Sequence, residues 1–272
     1  MILWIASYPK SGNTWIRALI STYLYSNKEN FEFKLLQKIP KFIQEKFISP
    51  VVDLNELKKN PLKISEFWNS AQLRVNLNNE IKFFKTHNAC ASYKGRWFTD
   101  ETNTTGYVYV VRDPRSIACS LASHSKISIE QAVSDLLNEN NIGLNGPYKL
   151  AEFPGSWKIN YLSWKKKKKF EGIVIKYEDL IDNTENEFKK ILVFLSRFKK
   201  INIDEKKISK SIISCAFSNL SKMEGEQGFE ETQNNKFFRK GKKDSWKNEL
   251  NLDLRKKLED NFKNEMIELG YL

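Results

Sequence analysis

Three cysteines in 272 residues, Cys90, Cys119 and Cys215, are too few and too widely spaced for a disulfide framework, and no Cys-x-x-Cys pair suggests a metal site. They read as small buried side chains. No stretch approaches the roughly 18–20 apolar residues that a membrane-spanning helix needs. The opening Met1-Ile2-Leu3-Trp4-Ile5-Ala6-Ser7 has no basic region ahead of its short apolar run, so it does not read as a secretion signal and a cytoplasmic protein is expected. Internal repeats are missing. Acidic residues fall short of basic ones: 45 Lys and Arg against 33 Asp and Glu leave a net charge of +12. Such an excess points to anionic partners, whether nucleic acid, a membrane surface or a phosphorylated small molecule, without choosing among them. Much of it is diffuse lysine, and the run Lys165 to Lys169 reads as a solvated helix end with its exit turn.

With 40% hydrophobic residues, the chain is long enough to bury a real core, and its length suits one large α/β domain better than two small ones. Residues 2–7 form a short apolar run closed by Tyr8-Pro9-Lys10-Ser11-Gly12. Then Trp15, Ile16, Leu19, Ile20, Tyr23 and Leu24 recur at helical spacing, which predicts strand, tight loop, helix. Residues 81–85 and 106–111 read as further strands. The second runs into Arg112-Asp113-Pro114, where Asp113 suits a helix N-cap and Pro114 the first helical position. Residues 173–177 predict another strand, 186–198 a long helix and 249–269 an amphipathic helix. The polar stretch from Glu224 to Ser245, anchored by Phe229, Phe237 and Phe238, reads as a long loop of the functional or disordered kind. Trp157, Tyr161 and Trp164, spaced i, i+4, i+7, read as core packing, with a ligand-pocket lining as the alternative. Alternating strands and helices predict parallel pairing, and ligands of such sheets bind beyond the carboxyl ends of the strands.

The motifs fall at that edge. Tyr8-Pro9-Lys10-Ser11-Gly12-Asn13-Thr14-Trp15 joins the first strand to the first helix, where backbone N–H groups and the helix dipole converge on an anion. It is no Walker loop, because its lysine precedes the single glycine, and an ordinary P-loop ATPase is disfavoured. Tyr-Pro-Lys-Ser-Gly-x-Thr-Trp resembles the 5′-phosphosulfate loop of the cytosolic sulfotransferase family. Tyr109-Val110-Val111-Arg112-Asp113-Pro114, continued to Ser120, is similar to that family's 3′-phosphate motif, which implies Arg112 and Ser120 as the phosphate ligands. Phe237-Phe238-Arg239-Lys240-Gly241 resembles the Arg-Lys-Gly segment closing over the same phosphate. Lys85-Thr86-His87 resembles the family's Lys-Thr-His.

Read through this resemblance, the chain is a short, bacterial-like form of the family: one sulfotransferase domain over 1–272. The implied fold is α/β, with a central, mostly parallel sheet flanked by helices and a P-loop-kinase-like arrangement. The implied reaction moves a sulfuryl group in line from 3′-phosphoadenosine 5′-phosphosulfate (PAPS) to a hydroxyl or amine of a small-molecule acceptor. His87 is implied as the general base, Lys10 as the cation at the bridging oxygen and Lys85 as the cation at the sulfuryl group. Lys10, Ser11, Gly12, Asn13, Thr14 and Trp15 are implied donor ligands, with Trp15 stacking on adenine. Tyr177, of Tyr177-Glu178-Asp179, and Phe217 are implied to line the adenine. The donor carries about four negative charges near neutral pH. Lys10, Lys85, Arg112, Arg239 and Lys240 supply five positive ones, so no metal is expected. Nor is a nucleic-acid or membrane partner.

Two other readings stay open on the residues alone. A nucleotide-dependent, kinase-like phosphotransferase would share the strand-loop-helix cradle but needs a lysine after the glycine and a metal-binding carboxylate. A non-catalytic nucleic-acid-binding protein would use the basic charge with its interleaved aromatics. The sequence also departs from the family. Asp244-Ser245-Trp246 stands where Gly-Asp-Trp is usual, Cys215 replaces a common threonine, and Asn88-Ala89 follows His87 in place of Leu-Pro. The family's dimer signature, Lys-x-x-x-Thr-Val-x-x-x-Glu, is not reproduced after Lys247, so the oligomeric state is open. The acceptor pocket is expected from 31–70, 88–98 and 140–164. His124 is expected at the surface or at a helix end.

Overall fold

Along the first strand Ile2, Trp4 and Ala6 point to one side and Leu3 and Ile5 to the other, and all five are fully buried. A strand that is apolar on both faces belongs inside a sheet covered by helices on both sides. The computed structural model, which describes residues 1–78, 80–166, 169–232 and 236–272, places it there. Strand β1 (Ile2–Ser7) lies between β2 (Lys82–Thr86) and β3 (Thr104–Val111), and β4 (Glu171–Lys176) extends the sheet beyond β3. All three pairings are parallel. Ala6 faces Thr86, Ser7 faces Val110, and Val111 faces Lys176, so the four strands end along one edge.

The helices that use this sheet follow from the same alternation. They are α1 (Asn13–Tyr25), α2 (Pro114–Ser125), α3 (Ile129–Leu137), α4 (Trp157–Lys165), α5 (Tyr177–Asp182), α6 (Thr184–Ser196), α7 (Glu205–Ser214), α8 (Phe217–Gln227), α9 (Leu252–Asn261) and α10 (Lys263–Glu268). One face of the sheet, carrying Trp4, Tyr107 and Tyr109, packs against α2 and α4. The other, carrying Leu3, Ile5, Val108 and Val110, packs against α1, α6 and α7. Trp157, Tyr161 and Trp164 are buried in the first of these cores, so their helical spacing marks packing and not a ligand pocket. Burying each such side chain contributes about 1.5–3 kcal/mol.

The predicted start of α2 holds in detail. Asp113 accepts the N–H of Arg115 at 2.9 Å, and Pro114 is the first helical residue. The expected helix over 249–269 is instead two, α9 and α10. Phe262 leaves helical geometry between them and buries its ring 5.0 Å from Trp157. The loop expected from Glu224 is also shorter, because α8 runs to Gln227. Gly225 does not stop it: that residue sits where even an added Cβ would meet nothing within 4 Å. Of the lysine run, Lys165 is the last residue of α4 and pairs with Glu268, and Lys169 pairs with Glu101 at 2.6 Å. Lys167 and Lys168 lie outside the described residues. All three cysteines are buried, and none forms a disulfide among the described residues. No helix among the described residues is long and apolar enough to cross a membrane.

Candidate active site

A cavity of about 930 Å³ opens where the four strands end. The loop between β1 and α1 forms its floor. Gly12 caps α1 with φ +100°, a conformation that favours glycine, and a Cβ there would fall 2.4 Å from Tyr177 Cδ2. Lys10 also takes a positive φ of 65°, which carries its side chain toward the cavity, with Nζ 3.9 Å from the Phe237 ring centroid. Burial, then repulsion from Lys85, brings its ammonium down to about 7. Thr14 and Trp15 line the cavity, and the Trp15 ring is fixed by donation of its Nε1–H to the Cys215 carbonyl at 3.0 Å. Two residues of the motif behave differently. The Ser11 side chain is fully buried and does not reach the cavity wall. The Asn13 amide turns back to the sheet, donating to the Ile5 carbonyl at 2.9 Å and to Ser7 Oγ at 3.2 Å.

From β2 come Lys85 and His87. Lys85 is buried, and burial lowers its pKa although Glu231, 3.0 Å away, opposes the shift. His87 Nδ1 lies 2.8 Å from the Ser7 carbonyl oxygen, and the His87 N–H donates to Glu152 Oε1 at 3.0 Å. Burial, followed by repulsion from Lys85, takes this imidazole down to about 3 and keeps it neutral. Glu152 sits on a hairpin, Gly143–Asn145 paired with Leu150–Glu152, and also meets Lys41 Nζ at 2.7 Å. Burial would raise this carboxyl, yet Lys41 and the His87 contacts hold it at about 2.

From β3 comes Arg112. Its guanidinium centre lies 4.4 Å from the Tyr177 ring centroid, and its NH1 donates to the Lys10 carbonyl at 3.1 Å. Its buried Nε has no partner among the described residues. Ser120, in the second turn of α2, lines the same wall. Arg239, Lys240 and Gly241 complete it, with Arg239 at 2.7 Å and Lys240 at 2.8 Å from Glu249. Gly241 packs so closely on Phe217 that a Cβ would fall 2.3 Å from its ring. After it, Asp244 adopts φ +58°, in the left-handed region where the resembled family has glycine, and Trp246 is buried under Arg115 at 4.0 Å.

The strap over the cavity is an aromatic cluster. Phe229 stacks on Phe33 at 4.5 Å and meets Phe237 at 5.1 Å, and Glu224 accepts the Phe237 and Phe238 N–H groups at 2.5 and 3.0 Å. Within it, Glu231 reaches down to Thr14, Arg17 and Lys85.

The sequence motifs thus converge on one cavity, with Ser11 buried behind its wall and Asn13 lining it while its amide nitrogen bonds back to the sheet. Residues they did not single out are Arg17, Lys41, Glu152 and Glu231. His124 stands one residue before the end of α2, as expected of a helix-end residue. Its half-buried ring also lines the cavity, 5.7 Å from Phe237, and burial followed by Lys10 lowers its pKa to about 4. Beyond the donor motifs, residues 33–46 and 143–154 supply cavity wall, but 88–98 do not. Asn88, Cys90 and Phe98 are buried in the core, and Tyr93 packs on Phe153 at 4.8 Å.

A family model for the sulfotransferase domain matches residues 2–270. The chain is 28% identical over 262 residues to flavonol 3-sulfotransferase of Flaveria bidentis, covering 90% of this chain and 75% of that protein. It is 23% identical over 291 residues to cytosolic sulfotransferase 16 of Arabidopsis thaliana, covering 98% and 77%. Among solved structures it is similar to retinol dehydratase in complex with androsterone and PAP, with a TM-score of 0.64, 16% identity, and 97% and 80% of the two chains covered. A mouse sulfotransferase complexed with PAP gives a TM-score of 0.61 at 19% identity, covering 97% and 83%. These structural likenesses concern the fold.

Proposed function

The chain belongs to the sulfotransferase family, and we propose that it transfers a sulfuryl group from PAPS to a hydroxyl or amine of a small-molecule acceptor, with His87 as general base. One observation carries this reading. Segments 10–15, 85–87, 112–120 and 239–241, far apart in sequence, surround one cavity at the carboxyl edge of a parallel sheet.

The chemistry of the residues fits the donor. The unpartnered Arg112 Nε, the Arg239–Lys240 pair and Ser120 offer charge-assisted and hydroxyl hydrogen bonds to a phosphate. Tyr177, Trp15 and Phe217 offer apolar and aromatic surface to a base. When bound, PAPS supplies an activated sulfuryl group on its 5′-phosphate. Lys10 and Lys85 place positive charge where the phosphate leaves and where the sulfuryl group passes, in a partly closed site where preorganised charge acts most strongly. His87 donates Nδ1–H to the Ser7 carbonyl, which leaves the Nε2 lone pair to take the acceptor's proton.

The kinase-like alternative lacks support at its key position. The residue after Gly12 is Asn13, with its amide committed to Ile5 and Ser7. The names of the cytosolic relatives support a cytoplasmic enzyme. The test is thermal shift and calorimetry with 3′-phosphoadenosine 5′-phosphate (PAP), followed by an acceptor screen with radiolabelled PAPS. Stabilisation by PAP is expected, and its absence overturns the donor assignment.

A further inference from the structure

Glu231 stands between two cations at the base of the cavity. Glu231 Oε2 accepts from Thr14 Oγ1 and from Lys85 Nζ, each at 3.0 Å, and Oε1 accepts from Arg17 NH1 at 2.6 Å. Burial would raise this carboxyl, yet Lys85 and Arg17 hold it well below the usual range. It is therefore an anion at neutral pH, in the grip of two cations and a hydroxyl.

Arg17 is built into place more firmly than its partner. It is 3% exposed, one turn beyond Asn13 on α1. Its Nε donates to the Ile39 carbonyl at 2.9 Å and its NH2 to the Leu36 carbonyl at 3.1 Å. These two bonds fix the guanidinium plane and leave NH1 for whatever anion lies in the cavity. Glu231 rides on the strap, with its side chain 26% exposed. A carboxylate and a sulfuryl group present the same fork of oxygens to a guanidinium.

We propose that Arg17 is a further cation of the donor site, binding the oxygens of the transferring sulfuryl group together with Lys85. Glu231 is the internal anion that fills this grip and gives way to the donor. Phe229 and Thr232 stay anchored on either side, to Phe33 and to Glu224, so that only the short stretch bearing Glu231 has to move.

This inference rests on the donor reading above, and PAP separates the two because it lacks the sulfuryl group. Calorimetric Kd values for PAP and for PAPS, without acceptor, are compared in wild type, Arg17→Lys and Glu231→Gln, with melting temperatures as a check on folding. Arg17→Lys keeps charge but loses the planar fork, and is expected to weaken PAPS about tenfold while PAP stays within about twofold. Glu231→Gln is expected to tighten PAPS several-fold, and PAP less. Equal weakening of both ligands by Arg17→Lys would mean that Arg17 only braces residues 36–39, which overturns the proposal. If that variant does not fold, Glu231→Gln decides: unchanged or weakened PAPS binding overturns it. Wild type binding neither ligand sinks the donor reading itself.

Discussion

The imidazole of His87, at the tip of β2, hydrogen-bonds across to the Ser7 carbonyl at the tip of β1, with Nδ1 and oxygen 2.8 Å apart. A carbonyl can only accept, so the ring proton sits on Nδ1 and Nε2 is the free base. With a pKa of about 3, set first by burial and then by Lys85, the ring is neutral throughout the physiological range, and the negative charge of the donor shifts it upward. His87→Ala is expected to lower turnover about a hundredfold or more while the Kd for PAP stays within about twofold. Near-normal turnover removes it as the base.

Lys10 makes donor binding depend on pH in a definite direction. Its ammonium titrates at about 7 in the free protein, and an incoming phosphate favours the charged form. Above that pH, binding must take up a proton, and PAP affinity falls by up to about tenfold per pH unit until the complex itself titrates. Calorimetry at pH 8 in two buffers of different ionisation enthalpy reads the proton directly. Equal heats in both buffers would rule Lys10 out as the linked group.

The two glycines Gly12 and Gly225 respond oppositely to alanine. At Gly12 the added methyl meets Tyr177 at 2.4 Å with φ at +100°, so Gly12→Ala is expected to cost about 1–3 kcal/mol in strain and to abolish PAP binding. At Gly225, inside α8 and facing open space, the same change gains about 0.4–1 kcal/mol. Urea titrations of the two variants check the sign; a destabilised Gly225→Ala would contradict the helix boundary.

Glu152 holds both Lys41 and the His87 N–H, and it is 5% exposed. Its removal as Glu152→Ala is expected to cost about 3–5 kcal/mol, because Lys41 is left without its carboxylate. Its folded-state pKa of about 2 lies below the ordinary 4.5, so its contribution is present above pH 4.5 and is lost as pH falls toward 2. Glu152→Gln should therefore flatten the acid limb of stability between about pH 4.5 and 2. An unchanged limb, followed by urea denaturation, would assign the acid sensitivity to other groups.

The segments that gather around the cavity were legible where their signals are local. A glycine with positive φ, a strand tip and a helix start each leave a signature within a few residues, as 8–15 and 109–120 do. Arg17 went unnoticed because it sits at an interior position of α1, where only the distant Leu36 and Ile39 carbonyls make it a cavity residue. Glu231, 214 residues further along, lay inside a polar stretch that offers no periodicity to read. The same holds for Lys41 and Glu152, partners across 111 positions that pair only once the hairpin folds back. The 88–98 segment turned to the core for a related reason: whether a turn after a strand faces solvent, core or cavity depends on what packs over it.

The register of the sheet also sets an order of events in the life of the chain. Strand β1 occupies the first residues, yet its two neighbours lie at 82–86 and 104–111. On a ribosome, the loop that would receive the donor emerges ahead of its supporting strands and waits until roughly a further hundred residues have been made. Pairings this distant in sequence close slowly, and the apolar run 2–6 is exposed to aggregation while it waits. A truncated chain ending before residue 111 should therefore bind chaperones and not nucleotide.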